Sequence, residues 1–169
     1  MVLLVRGQSP FQRPAQKVTM AKTRPVRDGT SGIGSANHLF GEMLKLEGQA
    51  PEHDHAPHQG SAPAMQDLFG GQIDGVFVPI TTNVAQPKAG SLRALAVSTP
   101  ARLPALPNIP TFTEQGFPSM TGSQGLGLPG PKTLPPKTPV PGDDFVKLAR
   151  SQIDTWTQVA RRAKVEVKI

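Results

Sequence analysis

The sequence predicts an α/β fold, and three observations carry that reading. From Ser35 onward, stretches with helical spacing alternate with short apolar runs of strand type. Glycines and cap residues mark most of the junctions. The 169 residues suffice for one domain with a real core, while 17 glycines and 19 prolines predict many turns.

Residues 1–27 show neither a helical nor a strand period, and Pro10, Pro14 and Pro25 interrupt them. They read as a basic, poorly ordered lead-in. Within them Val2-Leu3-Leu4-Val5 stops at Arg6, too short for the apolar core of a signal peptide, so none is visible in this chain. Residues 28–34 form a loop of small polar residues and glycine. Ser35 then caps a helix whose apolar positions are Ala36, Leu39, Phe40, Met43 and Leu46 or Leu44, and Gly48 ends it.

Residues 51–60 read as a short strand and a turn. A second helix follows, with Ser61 as cap, Pro63 in the first turn, Met65, Leu68 and Phe69 on one face, and Gly70-Gly71 as the stop. Residues 73–78 read as a buried strand and Leu92–Ser98 as another. Thr111 and Glu114 have capping-box spacing before a one-turn helix closed by Gly116. Residues 119–128 have room for a further strand. The last element is an amphipathic helix from Asp143, with Phe145, Ala149, Ile153 or Gln152, Trp156, Ala160 and Ala163 along one side. The resulting organisation is a lead-in at 1–27, an α/β body at 28–131, a Pro-rich linker at 132–142 and a C-terminal helix at 143–169.

Charge narrows the function classes. The lead-in carries six cations and no acid; the body is acidic at −4; residues 132–169 carry a net +4. The basic charge therefore lies at the two ends, away from most of the aromatics, which is not the pattern of a folded nucleic-acid-binding face. With no cysteine there is no disulfide, thiolate metal site or Cys nucleophile. No apolar run reaches the length of a membrane helix.

Thr30-Ser31-Gly32-Ile33-Gly34-Ser35 is the most suggestive segment. Two glycines let backbone N–H groups turn outward, the helix start adds unpaired donors, and Thr30, Ser31 and Ser35 add hydroxyls. Such a loop suits a carboxylate or a phosphate. The alternative is an ordinary capped helix after a glycine loop. The loop has neither the lysine of a P-loop nor GxGxxG spacing, so nucleotide binding is not indicated. His53, Asp54, His55 and His58 have the side chains of a transition-metal site, or are simply solvated near a turn. Ser35 or Ser61 with any His and Asp makes a triad only on paper, because no GxSxG elbow supports it. Asp74 pairs locally in this reading, and Trp156 is a core anchor. No cofactor and no metal are called for.

The order of motifs adds a resemblance. GTSGIGSANHLFGEMLK, APHQGSAPAMQDLFGGQIDGVF, KAGSLRALAVST and RLPALPNIPTFTEQGFP resemble the Bug-type solute-binding receptors of tripartite tricarboxylate transporters, in the family's order and with near-family spacing. The resemblance covers residue 29 to about 135 and resumes at PGDDFVKLARSQIDTWTQVARRAKV.

It implies a type II periplasmic-binding-protein-like fold, here mainly the second lobe with an incomplete first lobe. It also implies a periplasmic receptor, not an enzyme, that takes a small carboxylate and hands it to a membrane permease, with no nucleic acid involved. Carried over by position, Thr30, Ser31, Gly34 and Ser35 match the family's carboxylate loop, and Gly60, Ser61 and Ala62 match a turn lining its pocket. His38-Leu39 matches a His-Leu pair in which the histidine is structural. Val78 stands where many members place an aspartate for a ligand amine, which argues against an amino-acid ligand.

The departures are specific. Residues 1–27 do not match the first-lobe strand and Gly/Pro-rich loop, and first-lobe elements expected between Pro136 and Pro141 are missing. Gln59 replaces a lysine and His58 an aromatic, and Gly125 stands near a common tryptophan. A truncated receptor with millimolar or undetectable carboxylate binding is therefore the expectation. The alternatives are a vestigial, non-binding α/β fragment or a module that uses its basic ends on acidic partners.

Overall fold

A computed structural model describes residues 1–80, 90–122 and 142–165. Among them a five-stranded mixed sheet runs in the order β3-β2-β4-β1-β5, with β1 Val2–Arg6, β2 Val26–Thr30, β3 His53–Pro57, β4 Gly75–Val78 and β5 Leu92–Val97. β2 is parallel to both β3 and β4, whereas β1 lies antiparallel between β4 and β5. The carboxyl ends of β2, β3, β4 and β5 consequently share one edge of the sheet.

Helices cover both faces. α1 (Pro14–Met20) and α2 (Ala36–Gly48) lie on one, with Leu3, Val5, Val18, Phe40, Leu44 and Phe77 in the core beneath them. α3 (Ser61–Gly70) lies on the other, over Val2, Leu4, Leu68, Val76 and Val78. Successive residues of β1 thus enter different cores, as a strand's two-residue period requires. The helix Gly142–Arg162, α4, docks on the first face by setting Trp156 edge-on to Phe40 with ring centroids 4.9 Å apart.

The expectation of a poorly ordered lead-in at 1–27 is corrected. β1 is a central strand, buried from Val2 to Val5, and its partners Val78 and Val97 lie far along the chain. A strand covered on both faces is apolar at successive positions and so shows no alternation. α1 begins with Pro14, whose missing N–H costs nothing in a first turn, and the Gln16 side chain accepts from the amides of Gln12 and Arg13. β2 also begins before residue 28.

Smaller corrections concern caps. α2 ends at Gly48 as expected, and the left-handed cap position falls to Gln49 at φ 49°. Gly48 is placed there by packing: a Cβ on it would come within 2.5 Å of Val18 on α1. The cap of α3 is Gly60, not Ser61, which is the first helical residue. Ser35 caps α2 as expected, its Oγ accepting from the His38 amide at 3.3 Å. Thr111 and Glu114 exchange both capping-box hydrogen bonds ahead of a 3-10 turn at Thr113–Gln115, which Gly116 closes at φ 88°. Asp74 does not pair locally: its carboxylate accepts from the amide of Arg27 on β2, 47 residues away in sequence. The 123–128 part of the suggested strand, Gly125, linker residues 132–141 and the Phe145 side chain lie outside the described residues; 119–122 is not strand.

Candidate functional site

The two glycine loops singled out in the sequence meet at the carboxyl edge of the sheet. Loop 31–35 leaves β2 and leads into α2; residues 58–60 leave β3 and lead into α3. The His58 amide donates to the Thr30 carbonyl at 3.2 Å, tying one loop to the other. Gly32 (φ 130°) and Gly34 (φ 74°) supply backbone shapes that side-chain-bearing residues rarely adopt. This edge, beyond strand termini and at helix starts, is where open α/β sheets present ligands with oriented N–H groups.

The candidate residues divide into two groups. Thr30 is buried, and its hydroxyl is used inside: it accepts from the Gly32 amide at 3.2 Å and lies 2.6 Å from His55 Nε2. Ser35 Oγ donates to the Gly32 carbonyl at 2.7 Å while capping α2, and the Gly34 amide donates to His38 Nδ1 at 3.0 Å. These three shape the loop. Ser31, Gly60 and Ser61 are partly exposed and Ala62 is exposed. The first turn of α3 leaves its leading amides without an intrahelical acceptor, and Pro63 has no amide to satisfy. Ile33 stands exposed at the tip of loop 31–35, an apolar side chain beside polar donors. Val78, in contrast, is fully buried in the α3-side core.

Behind Thr30 lies a second feature that sequence spacing did not reveal. Asp28, at the middle of β2, accepts from Lys17 Nζ on α1 and lies 2.6 Å from His53 Nε2 on β3. All three are buried. Burial alone would raise the Asp28 carboxyl, but the ammonium of Lys17 and the imidazole of His53 outweigh it and hold the group well below the usual carboxylate range. A cavity lined by Asp28, Thr30, His38, Gly41, Glu42, His53, Asp54 and His55, with room for about one water, joins this cluster to the loop.

The histidines do not converge. His53 turns inward to Asp28, His55 stacks on His38 with ring centroids 3.7 Å apart, and His58 lies on the opposite side with Asp67 at 2.8 Å. Among the described residues no group of three potential ligands is arranged to hold a metal ion. Nor is the +6 segment wholly a solvated basic end, since Lys17 is enclosed.

The profile of the tripartite tricarboxylate transporter family receptor matches residues 1–149. The chain belongs to this family. The match takes in residues 1–27, so the family resemblance extends further toward the N-terminus than the motifs from residue 29 indicate. Relatives include a UPF0065 protein of Agrobacterium vitis, 36% identical over 110 residues, or 65% of this chain and 32% of that one. Protein BugT of Bordetella pertussis is 31% identical over 122 residues, covering 71% of this chain and 37% of BugT. The chain thus spans about a third of the length of these curated relatives. In fold it is similar to an R. palustris protein solved with adipate, at TM-score 0.83 and 24% identity, covering 97% of this chain and 65% of that one. Family members are solute-binding receptors, not enzymes. No described helix is long and apolar enough to cross a membrane.

Proposed function

We propose that this chain forms the carboxylate-binding lobe of a periplasmic solute receptor that serves a tripartite tricarboxylate-type permease. The observation that carries the reading is the meeting of loop 31–35 with the start of α3 at the carboxyl edge of the sheet, tied by the bond from the His58 amide to Thr30. Ser31, Gly60, Ser61 and Ala62 supply hydroxyl and amide donors toward the ligand. Thr30, Gly34 and Ser35 hold the loop that presents them. Oriented amides and hydroxyls suit an oxyanion without needing a fixed cation, so a small di- or tricarboxylate is the ligand class. The function is capture and release without bond chemistry, and no cofactor takes part.

The donors are open to solvent on one side, which costs them the low-dielectric environment that strengthens such bonds. Binding by this chain alone is therefore on the order of millimolar. Titration calorimetry with adipate, succinate and citrate tests the proposal, alongside Ser31→Ala and Ser61→Ala. Saturable binding of one acid, weakened in both variants while their melting temperatures hold, supports it. Absence of binding for every acid at about ten millimolar overturns it in favour of a non-binding lobe.

A further inference from the structure

The contacts around His38 and His55 reach the loop from two sides. His38 sits in the first turns of α2 and is buried; His55 lies on the edge strand β3. Their rings are nearly parallel, 13° apart. His38 Nδ1 accepts from the Gly34 amide, so the ring's proton is on Nε2, which lies 3.7 Å from Glu42 Oε1. His55 Nε2 meets the Thr30 hydroxyl, which in turn accepts from Gly32. Two stacked imidazoles thus hold the loop at its first residue and again at Gly34.

We infer that His38 and His55 act as positioning residues for the candidate carboxylate loop, and that a proton on His38 Nδ1 releases the Gly34 amide from its internal partner. The reason is local. An imidazolium donates from both nitrogens, so Nδ1–H would face the Gly34 N–H donor to donor, and the bond is lost. A second charge on the stacked ring is opposed, because burial and then the charge of His38 push His55 down to about 4.

Other charges face the pair. Glu42 on α2 faces His38 Nε2, and Lys45 on the same helix lies near Glu42. Asp28 of β2 lies across the cavity with its partners Lys17 and His53, beside Asp54 of β3. His58, just past β3, opposes charge on His55. A proton on His38 Nδ1 therefore loosens the loop while burial and that charge keep the stacked His55 ring neutral. This inference rests on the receptor reading for its meaning, but its geometry does not.

The test is nuclear magnetic resonance on the isotope-labelled full chain. It follows the histidine ring nitrogens and the exchange protection of the Gly34 amide between about pH 8 and pH 5. The expected result is a neutral His38 with its proton on Nε2, and Gly34 protection that falls roughly tenfold as that ring protonates. His38→Asn keeps an acceptor near the Nδ1 position but cannot titrate, so its Gly34 protection should stay flat with pH. His55→Gln keeps a group near Thr30, removes the stack and serves as a second folded variant. A His38 ring with its proton on Nδ1, or equal pH dependence in His38→Asn, overturns the inference. Titration with adipate, succinate and citrate separates the two readings. Gly34 protection that follows His38 without binding of any of the three leaves the positioning role standing and sinks the receptor reading. Adipate binding with pH-independent Gly34 protection does the reverse.

Discussion

Asp28 Oδ2 lies 2.6 Å from His53 Nε2 across the β2–β3 pair, while Lys17 Nζ holds the other carboxylate oxygen from α1. The three side chains are buried, and their mutual attraction and hydrogen bonds offset the cost of taking each out of water. Asp28→Asn leaves the Lys17 ammonium enclosed without a counter-charge. It should cost about 3–5 kcal/mol, read as a lower midpoint in urea unfolding. In the unaltered chain the Asp28 contribution has a defined sign. Its folded pKa is depressed, so the stability is present above the unfolded value of about 3.9 and is lost as pH falls below it. An acid melt that is no steeper in the parent than in Asp28→Asn would contradict this.

Two glycines of α2 should respond oppositely to alanine. Nothing lies within 4 Å of a Cβ added at Gly41, so Gly41→Ala gains helix propensity, about 0.5–1 kcal/mol. At Gly48 the added carbon would lie 2.5 Å from Val18 Cγ1, and α1 must shift to admit it. Overpacking of that kind costs about 1–3 kcal/mol and exceeds the propensity gain. Thermal melts of the two variants should move to opposite sides of the parent.

His55 gives a separate pH dependence. Burial, with the neighbouring charge of His38, lowers its folded pKa to about 4, whereas an unfolded histidine takes its proton near pH 6.5. Between those values the unfolded chain binds more protons, so the His55 contribution to stability is full above about 6.5 and is lost toward 4. His55→Gln should flatten the fall in melting temperature across that window. An unchanged slope would mean that His55 is charged in the folded protein.

Ser31 precedes Gly32 and Ser35 follows Gly34 in the same loop, but the two serines do different work. Ser35 caps α2, and Ser35→Ala should lower stability by about 1 kcal/mol. Ser31 is partly exposed and caps no helix, so Ser31→Ala should stay within about 0.5 kcal/mol. Equal losses in the two, measured by chemical denaturation, would show that Ser31 also supports the fold.

The helix over 36–48 was legible because its signals are local: Ser35 as cap and apolar residues three and four apart. The β3-to-α3 stretch was legible in outline, with a one-residue shift of the cap to Gly60. The first 27 residues were not. Val2–Val5 looks like any short apolar run until Val78 and Val97 lie beside it, and α1 has only seven residues and no clean period. At the candidate site the glycines of 30–35 marked the loop, but nothing in the spacing said that Thr30 turns inward to His55. His53 and His55, two residues apart, share one face of β3 as the strand period requires, and the turn after the strand carries His58 to the other face.

The sequence by itself determined what short-range interactions decide: the helices at 36–48 and 61–70, the amphipathic C-terminal helix, the capping box at Thr111 and Glu114, and a glycine loop at a helix start. Only the tertiary structure decided the strand order, the antiparallel place of β1, the enclosure of Lys17 with Asp28 and His53, and which loop hydroxyls face inward. Helix hydrogen bonds and caps join residues within about four positions, so their logic is written locally. Ladder bonds and desolvation join residues dozens of positions apart, and their outcome exists only once those residues are neighbours.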